Sequence, residues 1–121
     1  MLSLLETQEF LVNGQETKME FRFGVKAETV EQAYRWVELA MGLTGEPRES
    51  SDLGGAYFAY HGEAGEFGRL FNNRDVRDGE PVIDGCDEWP VVLYIEGASN
   101  DASAIQNLLN DAEHFVLVSS R

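Results

Sequence analysis

The run from Met19 to Lys26 constrains the fold most tightly, because Met19, Phe21, Phe23 and Val25 alternate there with Glu20, Arg22, Gly24 and Lys26. Successive side chains of a strand point to opposite faces, so this period of two prescribes a strand with one apolar face and one wet face. An apolar face of that size requires a second layer to cover it. Upstream, Phe10-Leu11-Val12 leads into Asn13-Gly14, whose residues tolerate the positive φ of tight hairpin turns. A hairpin over about residues 8 to 26 is predicted.

Two helical patterns supply the cover. Val30, Ala33, Tyr34, Val37, Ala40 and Met41 fall on one face of a helix. Thr29-Val30-Glu31-Gln32 before them has the form of a capping box, while Gly42 and Gly45 offer stop positions and Pro47 an exit. Ile105, Leu108, Leu109 and Ala112 form the second face, with Ser99, Asn100 and Asp101 as caps. Residues 46 to 55 read as a polar loop. Ala56 to His61 and Phe67 to Phe71 read as strands paired around the turn from Gly62 to Glu66. An acidic, turn-rich stretch runs from Asn72 to Pro90. The apolar run Val91 to Ile95 then suits a central strand covered on both faces, and Phe115 to Val118 closes the chain as a strand.

The predicted order is β-β-α-β-β-(short β)-β-α-β. It implies an α+β domain, a largely antiparallel sheet with two helices packed on one face, most economically in a ferredoxin-like (split βαβ) arrangement. No linker, repeat or low-complexity run divides the sequence, so residues 1–121 are expected to form a single domain. With 43% hydrophobic residues a chain of this length can bury a core without disulfide or metal staples.

Charge narrows the partners. Nine Lys and Arg face 22 Asp and Glu, a formal net charge of −13. From Asp78 to Ser120 there are nine acids and no Lys or Arg. Such a field repels nucleic acid and anionic membranes and attracts a basic protein, so no nucleic-acid or membrane partner is expected. The single cysteine, Cys86, excludes an internal disulfide framework and suits a reducing cytosol. No apolar span or basic leader pattern is present, and a cytoplasmic location is expected.

Raw material for catalysis is sparse. Cys86, His61 and His114 are the obvious candidates, and the carboxylates flanking Cys86 in Asp84-Gly85-Cys86-Asp87-Glu88 disfavour a reactive thiolate. Both histidines read as structural, His114 because it lies near a helix C-terminus. Zinc spacing is absent, and the carboxylates Asp75, Asp78, Glu80, Asp84, Asp87 and Glu88 do not match a calcium-loop pattern. Gly42-Leu43-Thr44-Gly45 follows a helix and so lacks the context of a phosphate cradle. Arg69, Arg74 and Arg77 with Asn72 and Asn73 could bind an anion, but local pairing with Asp75, Asp78 and Glu80 is the simpler expectation. No enzyme activity, cofactor or metal is therefore expected.

What remains is the segment Asp75 to Trp89, six carboxylates and a tryptophan on one loop. Binding residues concentrate on loops held by a rigid scaffold, and tryptophan is enriched among interface hot spots. Asp75, Asp78, Glu80, Asp84, Asp87, Glu88 and Trp89 are the expected partner-binding residues, Trp89 serving either as an anchor or as a plug at the sheet. The function these features suggest is that of an immunity-type inhibitor that occludes the cationic site of a basic toxin or nucleic-acid-processing enzyme. A phage anti-defence protein mimicking nucleic acid is the alternative from the same physics, and a small enzyme or ligand-binding domain is the alternative from different chemistry.

Overall fold

The structure is a computed structural model, and it describes residues 18–121. The proposed strand at Phe10 to Val12 and its Asn13-Gly14 turn lie outside the described residues. Six strands and two helices follow: β1 (Met19–Val25), α1 (Val30–Met41), β2 (Glu46–Ser50), β3 (Gly55–His61), β4 (Phe67–Asn72), β5 (Val91–Ala98), α2 (Ser103–Asn110) and β6 (Phe115–Ser120). A single 3-10 turn, Ser51–Leu53, joins β2 to β3.

The strands form one sheet in the order β2-β3-β4-β5-β1-β6, and every neighbouring pair is antiparallel. The α+β class, with a largely antiparallel sheet and two helices, is as expected. The sheet is not the four-stranded one of a simple ferredoxin-like arrangement, since β2 and β3 extend it to six. β1 is hydrogen-bonded on both sides, to β5 and to β6, so its edges are taken by strands from the far end of the chain.

Alternation in β1 puts Phe21, Phe23 and Val25 into the main core, where they meet Val30, Ala33, Val37 and Met41 of α1 and Ala104, Ile105 and Leu108 of α2. Both helices therefore cover the same face. Burying seven such helix side chains against aromatic strands contributes on the order of 10 kcal/mol of gross stabilisation. β5 lies at the centre and buries Val91, Val92, Leu93 and Ile95 on both faces, as its unbroken apolar run implied. Leu109 and Ala112, assigned to the buried face of α2, are exposed, and Ala112 falls beyond the helix.

The caps differ in detail from those the sequence suggested. Thr29 is the N-cap of α1 by backbone conformation, yet its side chain makes no capping bond. Instead Asn72 Oδ1 accepts from the Val30 N–H at 3.3 Å, and Gln32 Oε1 accepts from the Glu28 N–H at 2.8 Å. A capping oxygen borrowed from β4 ties the helix to the sheet. Ser99, Asn100 and Asp101 give no side-chain cap to α2, whose N-cap is Ala102; the Ser99 hydroxyl donates to Asp101 Oδ1. Gly42 does end α1, at φ +69, donating its N–H to Glu38 O at 2.8 Å.

Candidate functional site

The face of the sheet opposite the helices carries the site, and the cross-strand registers arrange it in rows. Tyr57, Phe71, Val92 and Gly24 stand side by side across β3, β4, β5 and β1. One row along come Ala59, Arg69, Tyr94 and Arg22, and beyond them His61, Phe67, Glu96 and Glu20. The first row is apolar and the other two are largely charged or aromatic. In the second row Ala59 is buried and Tyr94 half-buried, and the first row is covered.

Its cover is the loop of residues 73–90. Phe71, Cys86 and Val92 are fully buried there, with Leu53, Tyr57, Val82, Ile83, Trp89, Tyr94 and Val118 packed around them. The alternation of β1 marked this side as wet throughout, but Gly24 is buried. Trp89 lies on Gly24 so closely that an added methyl group would overlap its indole ring. Glycine is required at that position to admit the ring.

Asn73 organises the loop. It is 1% exposed and is the only buried polar residue among the described residues. Its side-chain N–H groups donate to Cys86 O at 2.8 Å and Trp89 O at 3.2 Å, while its Oδ1 accepts from the Val82 and Ile83 N–H groups at 2.9 and 3.1 Å. Its own N–H donates to Pro90 O at 2.8 Å. One amide thus satisfies buried and half-buried backbone groups from three parts of the loop, a group left unmatched in full burial costing about 1–3 kcal/mol. Read in the sequence, Asn73 was no more than a member of a possible anion site. The signal available there was an Asn beginning a long turn-rich segment, a residue type that bonds readily to nearby backbone.

A second tie is ionic. Arg77 bonds Asp75 through Nε and Nη2 at 2.9 and 2.7 Å, and its Nη2 also reaches Asp52 at 2.9 Å. The Asp75 carboxyl is lowered to about 2 by the Arg77 side-chain and backbone hydrogen bonds. Asp75, also named among the expected partner-binding residues, is half-buried and matched by Arg77. Arg69 pairs with Glu96 at 2.9 Å and lies over the Phe67 ring, while Arg74 donates to Gly79 O at 3.4 Å. The local pairing expected for these arginines is found in Arg77–Asp75, and Arg69 finds its partner on β5.

Asp78, Glu80, Asp84, Asp87 and Glu88 are all exposed, and none forms an ion pair with a described residue. The first 17 residues contain no Lys or Arg. These five carboxylates are displayed on a loop whose underside is pinned by Asn73, Cys86 and Trp89. Trp89 is half-buried and in part lines an open groove of about 520 Å³ with Lys26, Glu28, Gln32 and Pro90. Its packing over Gly24 makes it a plug of the sheet, with one side of the ring left toward the groove.

The thiol and the histidines are held structurally. Cys86 is fully buried, and burial raises its pKa, reinforced by Asp87 and Glu88 against the opposing pull of Arg22. Burial is a larger cause than the flanking carboxylates that the sequence points to. His61 is exposed beside the Phe67 ring, with Nε2 3.4 Å from Arg48 Nη2. His114 stacks on Trp36 at 3.9 Å between ring centroids, and its Nδ1 lies 2.9 Å from Asp111 Oδ2 just past the end of α2. Among the described residues, three potential metal-ligand atoms come within 4.8 Å of one another only at Asp111, Glu113 and His114, and the acidic loop does not converge in that way. No described helix is long and apolar enough to cross a membrane. No protein-family model and no curated protein sequence matches the chain.

Proposed function

We propose that the chain is an acidic binding protein of immunity type, which acts in the cytoplasm by binding, not by catalysis. Its partner is a basic toxin or nucleic-acid-processing enzyme whose cationic site it occludes. One observation carries the reading: Asp78, Glu80, Asp84, Asp87 and Glu88 project without described cationic partners from a loop that buried groups hold in place. A site evolved to grip phosphates is basic, and a preorganised set of carboxylates competes for it without first ordering a flexible segment. Asp75 and Trp89 support the loop from below in this reading and are not contact residues.

The test is affinity capture from the native host with the wild-type chain and with a variant in which the five carboxylates are changed to Asn or Gln. A basic protein retained by the first and lost by the second supports the proposal. Equal retention by both moves the interface off the loop, and capture of an acidic protein contradicts the charge argument.

A further inference from the structure

The turn between α2 and β6 brings a histidine and two carboxylates together away from the acidic loop. Imidazole is scarce in this chain, with only His61 and His114 to supply it. His61 Nε2 has Arg48 Nη2 3.4 Å away, a cation where a metal ion would have to sit. His114 instead lies with Asp111 and Glu113, and one donor atom from each of the three is within 4.8 Å of the other two. The turn is pinned. The Asp111 carbonyl accepts from the His114 and Phe115 N–H groups at 3.2 and 3.0 Å, and the His114 carbonyl accepts from the Lys26 N–H at 2.9 Å. The imidazole stacks on Trp36 of α1 with 21° between the planes and meets the Phe115 ring edge-on, which fixes the direction of its nitrogens.

We propose that Asp111, Glu113 and His114 form a binding site for a divalent transition-metal ion of zinc type. One imidazole nitrogen with two carboxylate oxygens is a borderline donor set, which suits zinc over magnesium or calcium. Two donors bound to one tetrahedral zinc ion stand about 3.4 Å apart. The Asp111–His114 pair, at 2.9 Å, therefore opens by about half an ångström as the ion takes the place of the hydrogen-bond proton. Glu113 is exposed, and rotation of its side chain closes the remaining gap. Charge supports the assignment independently. Asp111 is the C-cap of α2, and a carboxylate at the carbonyl end of a helix is electrostatically misplaced unless a cation joins it. The Lys26 ammonium, on the Ala112 carbonyl at 3.2 Å, offsets part of that charge, so weaker binding is expected than in a closed four-ligand site. The fourth position is left to water.

Isothermal titration calorimetry of the chelator-stripped full chain against zinc chloride tests the proposal. One saturable equivalent is expected in the wild type, not displaced by excess magnesium chloride, and zinc should raise the melting temperature because the ion binds the folded chain. Glu113→Gln, at an exposed position, should weaken zinc binding at least about tenfold with an unchanged circular dichroism spectrum. His114→Ala should abolish the equivalent, and His61→Ala should leave it intact. The proposal is overturned by a chain that takes up no saturable zinc, or by an equivalent indifferent to both Glu113→Gln and His114→Ala. An equivalent lost when the five loop carboxylates are changed to Asn or Gln overturns it as well. The zinc site and the acidic loop use different residues, so this proposal and capture of a basic protein fail independently.

Discussion

Asn73 ties the loop together through four side-chain hydrogen bonds to its backbone. Replacing it with Ala strands two backbone N–H groups and two carbonyls in a buried setting. A loss of about 2–4 kcal/mol in chemical denaturation is expected, with Trp89 emission shifting to the red as its cover loosens. Gly24→Ala should produce the same spectral shift by a different route, because the added methyl group displaces the indole from the sheet. Cys86 separates packing from chemistry. Cys86→Ser places a hydroxyl in the buried cluster and should cost about 1–3 kcal/mol, while Cys86→Ala should fold with a smaller loss. Both variants should retain full binding, and loss of binding in a well-folded Cys86→Ala would give the thiol a role that its burial argues against.

At the scale of elements, the loop of residues 73–90 is a third cover for the sheet, made without regular secondary structure. Its ionic tie is pH-dependent. The folded Asp75 carboxyl sits at about 2, below the ordinary aspartate value of about 3.9, so the Arg77 contact is fully present above that ordinary value and is lost as pH falls through about 2. Protection of the amides in residues 74–80, relative to their intrinsic exchange rates, should fall between about pH 4 and pH 2 in the wild type, and Arg77→Gln should remove that pH step. Elements with a strong periodicity were legible in the sequence: β1 and β5 by their apolar patterns, and the buried face of α1. The strand β2 was not, because an edge strand exposed along most of its length has no apolar alternation to display. The capping box was not legible in detail: the Gln32 N–H expected to meet the Thr29 side chain donates to the Thr29 carbonyl instead, and the Val30 N–H is capped by Asn72, 42 residues away. The acidic loop was visible as composition. Its division into supporting residues, Asp75, Cys86 and Trp89, and displayed ones depends on contacts with Arg77 and Gly24 that composition does not encode.

For the whole molecule, the helices cover one face, the loop covers part of the other, and acids without a partner among the described residues stand exposed on that loop. Trp89→Ala tests the division of labour. As a plug over Gly24 it should cost about 3 kcal/mol of stability and alter partner affinity only through unfolding. Reversing Asp84 alone should leave stability unchanged and slow association, since an exposed charge acts chiefly on encounter. The most direct measurement is the association rate of the captured basic partner as a function of ionic strength, for the wild type and for the five-carboxylate variant. Screening acts over roughly 8 Å at physiological salt, so the wild-type rate should fall about tenfold or more from low to high salt. The variant should start slower and respond less. A wild-type rate that is the same at low and high salt, and the same in the variant, would contradict the proposal that the acidic loop captures its partner electrostatically.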